Sequence, residues 1–180
     1  MIYTYSQCIE KYKSDYQLKK AVKRGDLYKL EKGLYSDTPK TARLEVIAAK
    51  YPEGVFTLDN AFYYYNLTDV IPEDYYIATA SNAPAITDDD IRQIFMPEKV
   101  FSCGVTSMTR RGVKIRIYSR EKLLVELLRY KNKLPYDYYK EIIRNYRKIA
   151  DELNMEEVQE YIEQSPKKGM IYNTLGKEIL

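Results

Sequence analysis

The chain has 180 residues, room for one sizeable domain or a small and a medium one, and it carries 20 Tyr and two Cys but no His or Trp. Without histidine, Ser/His/Asp and Cys/His catalysis are excluded and an ordinary zinc site is not expected, while two cysteines are too few for a disulfide framework or a metal cluster. No apolar run reaches about 18 residues and no secretory leader is evident, so a cytoplasmic protein without a membrane span is expected, and no metal or cofactor is expected of it.

Residues 4–13 read as a first helix, with Tyr5, Cys8, Ile9 and Tyr12 facing inward. Ser14 is placed to cap a second helix, Asp15 suits its first turn, and Gly25 stands where the chain must leave it in a left-handed conformation. Leu18, Ala21 and Val22 give this helix an apolar face. Gln17, Lys20 and Arg24 lie on another face, flanked by Lys19 and Lys23. Residues 27–30 and Leu34-Tyr35 then read as short strands around the turn Glu31-Lys32-Gly33.

A basic helix followed by a hairpin with lysine near its tip is the layout of a winged helix-turn-helix. Its helix enters the major groove, where Gln17, Lys20 and Arg24 are placed for base edges. Lys19, Lys20, Lys23, Arg24, Lys29 and Lys32 would meet phosphates. The charge distribution agrees, since residues 1–35 hold eight Lys/Arg against four Asp/Glu, a surplus of four in a chain whose net charge is +3. The alternative is a merely solvated cationic face.

Ser36-Asp37-Thr38-Pro39 is a turn-rich joint, and the division is placed there: 1–38 as the DNA-binding domain and 39–180 as a second, α+β domain. A helix with Leu44, Ile47 and Ala48 on one side follows, ending at the break Pro52-Glu53-Gly54, which is the other candidate for the boundary between the reader and the second domain. Thr57 can cap a helix over 58–65, residues 66–72 form a loop, and 74–80 read as a strand. Asp88-Asp89-Asp90 are expected to be first-turn acids of a helix whose apolar positions are Ile91, Ile94 and Phe95. Residues 99–108 and 113–118 read as a hairpin around Arg110-Arg111-Gly112. Ser119 caps a helix over 120–131 with Leu123, Leu124, Leu127 and Leu128 inward, and helices over 136–150, 156–164 and 168–180 complete the chain. The fold class is therefore α+β: a small N-terminal winged helix-turn-helix, then an α+β domain with a helical C-terminal end.

Three stretches in order, Gly33-Leu34-Tyr35, LDNAFYYYNLTDVIP over 58–72 and SREKLLVELLR over 119–129, resemble the AbiEi-type antitoxins of abortive-infection toxin–antitoxin systems. The resemblance implies a winged-helix domain that binds the inverted-repeat operator of its own promoter, as a monomer or weak dimer acting in pairs on double-stranded DNA. It also implies a second domain that antagonises a nucleotidyltransferase toxin, directly or indirectly. Where the family shows Ser-Ala-Leu this chain has Asn60-Ala61-Phe62, with Tyr64 or Tyr65 in place of a histidine. Where the family shows Glu-Arg-Thr-Leu-x-Asp it has Glu121-Lys122-Leu123-Leu124-Val125-Glu126, which carries an ionic antitoxin role over to Glu121, Lys122 and Glu126. On spacing alone, Glu121 is a first-turn acid and Lys122 with Glu126 an i,i+4 surface pair worth a few tenths of a kcal/mol. Two other classes stay open: a module whose tyrosine-rich second domain binds a protein without DNA, and a nuclease or transferase using Asp88–Asp90 or Glu121 with Glu126.

Overall fold

The computed structural model describes residues 1–179 and is a mixed α+β structure that divides into two compact units. One comprises Met1–Pro52 with Arg111–Val113, the other Glu53–Arg110 with Lys114–Leu180. The division falls at the break Pro52-Glu53 rather than after residue 38.

The first unit runs β1 (Ile2–Thr4), α1 (Tyr5–Tyr12), α2 (Asp15–Arg24), β2 (Tyr28–Glu31), β3 (Leu34–Ser36) and α3 (Arg43–Lys50). β3 lies between β1 and β2 and is antiparallel to both, with a bulge in the pairing between Lys29 and Glu31. Thr4 starts α1 through a capping box: its hydroxyl accepts from the Gln7 N–H at 3.3 Å, and the Gln7 amide oxygen accepts from the Thr4 N–H at 2.8 Å. Cys8, Leu18, Leu27 and Tyr35 form the core of this unit, with Tyr3, Ile9, Tyr12 and Val22 around it. Burial pushes the Cys8 thiol up, which leaves it an inert packing group.

Tyr5 is not part of that core. It is 43% exposed, and its hydroxyl donates to the Asp15 carboxylate at 3.4 Å, so the inward side of α1 is carried by Cys8, Ile9 and Tyr12 instead. α3 packs against β1 with Leu44 and Ile47 buried. It is also bound to the hairpin by charge, since Arg43 and Lys50 reach the two carboxylate oxygens of Glu31 at 2.8 and 2.6 Å. Because these contacts join residues on both sides of 38, the joint at 36–39 is a turn inside the unit. There the buried Ser36 hydroxyl gathers the Thr38 N–H and the Thr38 and Thr41 hydroxyls at 3.0–3.1 Å.

The second unit holds β4 (Val55–Phe56), α4 (Leu58–Tyr64), β5 (Tyr75–Ala80), β6 (Ile91–Met96), α5 (Glu98–Phe101), β7 (Val105–Arg110), β8 (Val113–Tyr118, its first residue in the other unit), α6 (Arg120–Tyr130), α7 (Tyr136–Lys148), α8 (Met155–Gln164) and α9 (Lys168–Glu178). The five-stranded sheet has the order β6-β5-β4-β8-β7, in which β5–β6 and β4–β8 are parallel and β4–β5 antiparallel. Arg111 and Gly112, with φ of 49° and 79°, supply the paired left-handed residues of a two-residue hairpin turn. The helix expected over 168–180 ends at Glu178, and Leu180 lies outside the described residues.

Two expectations are corrected here. The segment after Asp88-Asp89-Asp90 is not a helix: residues Ile91–Met96 are a strand laid along β5 over six paired positions. Residues Glu98–Phe101 form a helical turn, so the strand expected from 99 begins only at Val105.

α6 is the central helix of this unit. Every residue from Lys122 to Leu128 is buried, and the helix packs against α4, α8 and α9. Tyrosines fill much of the surrounding core with their hydroxyls committed to bonds: Tyr118 donates to the Phe101 carbonyl at 2.8 Å, and Tyr146 to the Arg120 carbonyl at 2.9 Å.

Candidate nucleic-acid interface

α2 is fixed at both ends and along one side, which determines what its other side presents. The Ser14 hydroxyl accepts from the Gln17 N–H at 3.3 Å, and Gly25 closes the helix at φ 79° with its N–H on the Val22 carbonyl at 3.1 Å. Leu18 and Ala21 are fully buried. With that side used, Gln17, Lys19, Lys20, Lys23 and Arg24 are all exposed on the remainder of the helix, as are Lys29 on β2 and Lys32 at the hairpin tip.

The cations are not equivalent. Lys19 meets Asp15 at 2.6 Å and Arg24 meets Asp26 at 2.9 Å, both between exposed groups. The Lys19 ammonium holds the Asp15 carboxyl below the usual carboxylate range. Surface pairs of this kind contribute little, and a phosphate can take the carboxylate's place. Lys20, Lys23, Lys29 and Lys32 have no carboxylate partner among the described residues. The hairpin's own acid, Glu31, is neutralised from α3 by Arg43 and Lys50. The Gly33 carbonyl, in the left-handed turn at φ 83°, accepts from the Tyr5 N–H at 2.8 Å, which ties the hairpin tip to the start of α1.

The second set of predicted residues has a different character. Lys122 and Glu126 are fully buried and meet at 3.1 Å, so the surface pair expected from spacing is an ion pair inside the fold. Glu126 also receives Arg129, whose Nε lies at 2.9 Å. The Lys122 ammonium makes no hydrogen bond but sits 5.8 and 6.0 Å from the ring centres of Tyr118 and Tyr161. Glu121 stands apart from them, accepting from the Asn154 N–H at 3.3 Å. The charges of Lys122 and Glu126 thus act within the interior and present no surface to a partner.

No protein-family model matches the chain, and no curated protein matches it either.

The acids suggested for catalysis are not brought together. Asp88–Asp90 lie in the turn before β6, where the Asp88 carbonyl accepts from the Ile91 N–H at 3.1 Å and the Asp90 carbonyl from the Tyr75 N–H at 2.8 Å. Among the described residues no three His, Cys, Asp or Glu side chains are grouped to hold a metal ion, and no helix is long and apolar enough to cross a membrane.

Reading by charge passed over two residues. Tyr16, at the second position of α2, is 70% exposed and has no hydrogen bond or ring contact among the described residues. It stands four and seven residues before Lys20 and Lys23, on the same stripe of the helix, and that spacing was visible in the sequence. Asp59 in α4 is partly buried and accepts from the Tyr138 hydroxyl at 3.1 Å. Burial pushes its carboxyl above the usual range, although Tyr138 and Tyr76 pull the other way.

Proposed function

We propose that the chain is a non-enzymatic, cytoplasmic DNA-binding antitoxin of the AbiEi type, repressing its own operon and antagonising a nucleotidyltransferase-like toxin. The order β1-α1-α2-β2-β3, with β3 between the other two strands, supports reading the first unit as a winged helix-turn-helix. The three-helix complement of such a domain is completed by α3, which follows the hairpin and packs on β1. The observation that carries the reading is the outer side of α2: beyond Asp15 the helix has four cations and no acid, and Lys20 and Lys23 are free of carboxylate partners.

In this reading α2 lies in the major groove, and Lys29 and Lys32 of the hairpin meet the phosphates alongside. Two protomers on the half-sites of an inverted repeat give the operator its symmetry. The test is fluorescence anisotropy on a duplex spanning the region upstream of the gene, at a series of salt concentrations. Four unpaired lysines give a log–log slope of about −3.6, steepening to about −5.4 if Lys19 and Arg24 exchange their carboxylates for phosphates. A flat salt dependence would show that this face is not the one that binds.

A second reading, a protein-binding module without DNA, is favoured by the loop before β5, where Val70 and Ile71 are 52% and 71% exposed. Capture of the neighbouring gene product with no operator shift would select it.

A further inference from the structure

We propose that Tyr16 is the base-reading side chain of the α2 face and that it recognises the 5-methyl group of thymine. The inference rests on the DNA-binding reading above and deepens it by naming what in the duplex is recognised. Sequence is read at base edges, not at phosphates. Lysine and arginine reach guanine there and glutamine reaches adenine, whereas the thymine methyl calls for an apolar side chain on the same face.

Tyr16 is the group placed to supply it. It is the second residue of α2, and it is the N-terminal part of a groove-bound helix that reaches base edges. Leu18 and Ala21, which face the core, turn the opposite side of the helix outward, and Tyr16, Lys20 and Lys23 lie in line along that outward side. At 70% exposed, the ring has no hydrogen bond or ring contact among the described residues and is held in place only by its helix. An aromatic ring exposed in this way between cations gains from an apolar contact in the groove. The apolar feature of the major groove is the thymine methyl, which no other base carries. Lys20 and Lys23, one and two turns further along, would take the flanking phosphates and hold the ring against that edge. Gln17, next to Tyr16, would then read the neighbouring adenine through its amide.

The chemistry suggests a probe that changes nothing but the methyl group. Two duplexes spanning the region upstream of the gene would be compared, one with thymine and one with uracil replacing every thymine. Binding by the full chain is read by fluorescence anisotropy together with a random-sequence duplex at the same salt. The expected result is that the wild-type chain prefers the thymine duplex by about fourfold for each methyl it contacts, the value of one buried carbon. Tyr16→Ala should lose this preference while keeping its affinity for random duplex and its salt slope. Tyr16→Phe, which keeps the ring, should keep the preference. Because the side chain is exposed, both variants should melt at the wild-type temperature. If the wild-type chain binds duplex with the expected salt slope but does not distinguish thymine from uracil, the role of Tyr16 is overturned and the DNA-binding reading stands. The role is equally overturned if Tyr16→Ala distinguishes them as well as the wild type does. If no duplex is bound even at low salt, it is the DNA-binding reading itself that fails.

Discussion

Lys122 and Glu126 carry opposite charges into an interior where neither has a full set of hydrogen bonds, and the consequences of removing one or both differ in sign. Glu126→Ala strands the buried Lys122 ammonium and should lower stability by about 3–5 kcal/mol in urea unfolding, whereas Lys122→Ala should cost less, because Arg129 still holds the Glu126 carboxylate. Replacing both with apolar side chains of similar volume, Lys122→Met with Glu126→Leu, should recover most of that loss. If toxin antagonism fails in the single variants and returns in the double one, these residues serve the fold; if it stays lost in a well-folded double variant, the charges themselves are needed. Gly104 is coupled to the same place. Its φ of 71° excludes most side chains, and a Cβ there would come within 2.6 Å of the Lys122 Cβ, so Gly104→Ala should be among the costliest single changes in this unit. Asp59 gives a pH-dependent case. Its folded carboxyl titrates above the ordinary range because of burial, so its contribution to stability is fully present below the unfolded value and is lost as pH rises through the folded one. Asp59→Asn keeps an acceptor for the Tyr138 hydroxyl. It should therefore raise Tm at neutral pH, with the gain vanishing as acid protonates the wild-type carboxyl. The family-like pattern made Lys122 and Glu126 visible in the sequence, whereas their burial was not read from it, because an i,i+4 pair of opposite charges ordinarily faces water. Leu123, Leu124, Val125, Leu127 and Leu128 cover about 200° of α6 and leave Lys122 and Glu126 together on the remaining arc. What covers Lys122 there is remote in sequence, Gly104 and Tyr161.

At the scale of elements, legibility follows how local the determining interactions are. α2 was readable to the residue because its start, its stop and its apolar side are all set within the helix and its caps. The same property makes it testable. Ser14→Ala should lower stability by about 1 kcal/mol, and Gly25→Ala, forced into a left-handed conformation at φ 79°, by about 1–2 kcal/mol, both measured by thermal melting. Gly25→Asn should cost less, since asparagine tolerates that conformation. β6 was misread because its determinant is remote. Ile91 and Met96 are buried while Arg92 and Phe95 are exposed, which is neither a clean alternation nor a helical stripe. What makes the segment a strand is the parallel ladder offered by β5. The three acids before it resemble a helix start but occupy a turn, with the Asp90 carbonyl already bonded to the first residue of β5. β1 is only three residues long and its partner β3 lies about thirty residues away, so no local period could reveal it.

At the scale of the whole molecule, the placement of the boundary determines how the charge is distributed. Residues 1–52 hold 11 Lys/Arg against six Asp/Glu, where residues 1–35 hold eight against four. That surplus of five exceeds the +3 of the entire chain, so the remainder is acidic on balance. The joint at 36–39 and the break Pro52-Glu53-Gly54 both read as boundaries, because Ser, Asp, Thr, Pro and Gly in succession are what linkers contain. However, a turn inside a unit and a linker between units share that composition, and only the partners across it distinguish them. Here the partners are Glu31 with Arg43 and Lys50, and Leu44 and Ile47 on a helix that packs against β1. A fragment of residues 1–38 would leave Glu31 without its two cations and one side of β1 bare. It should show little fixed tertiary structure by amide proton dispersion, whereas 1–52 should give a dispersed spectrum and a cooperative melt. If DNA binding belongs to the first unit, 1–52 should also shift random duplex at low salt, with a slope close to that of the full chain, and 53–180 should not. Cooperative folding of 1–38 alone would return the boundary to the joint and make α3 an accessory to the other unit.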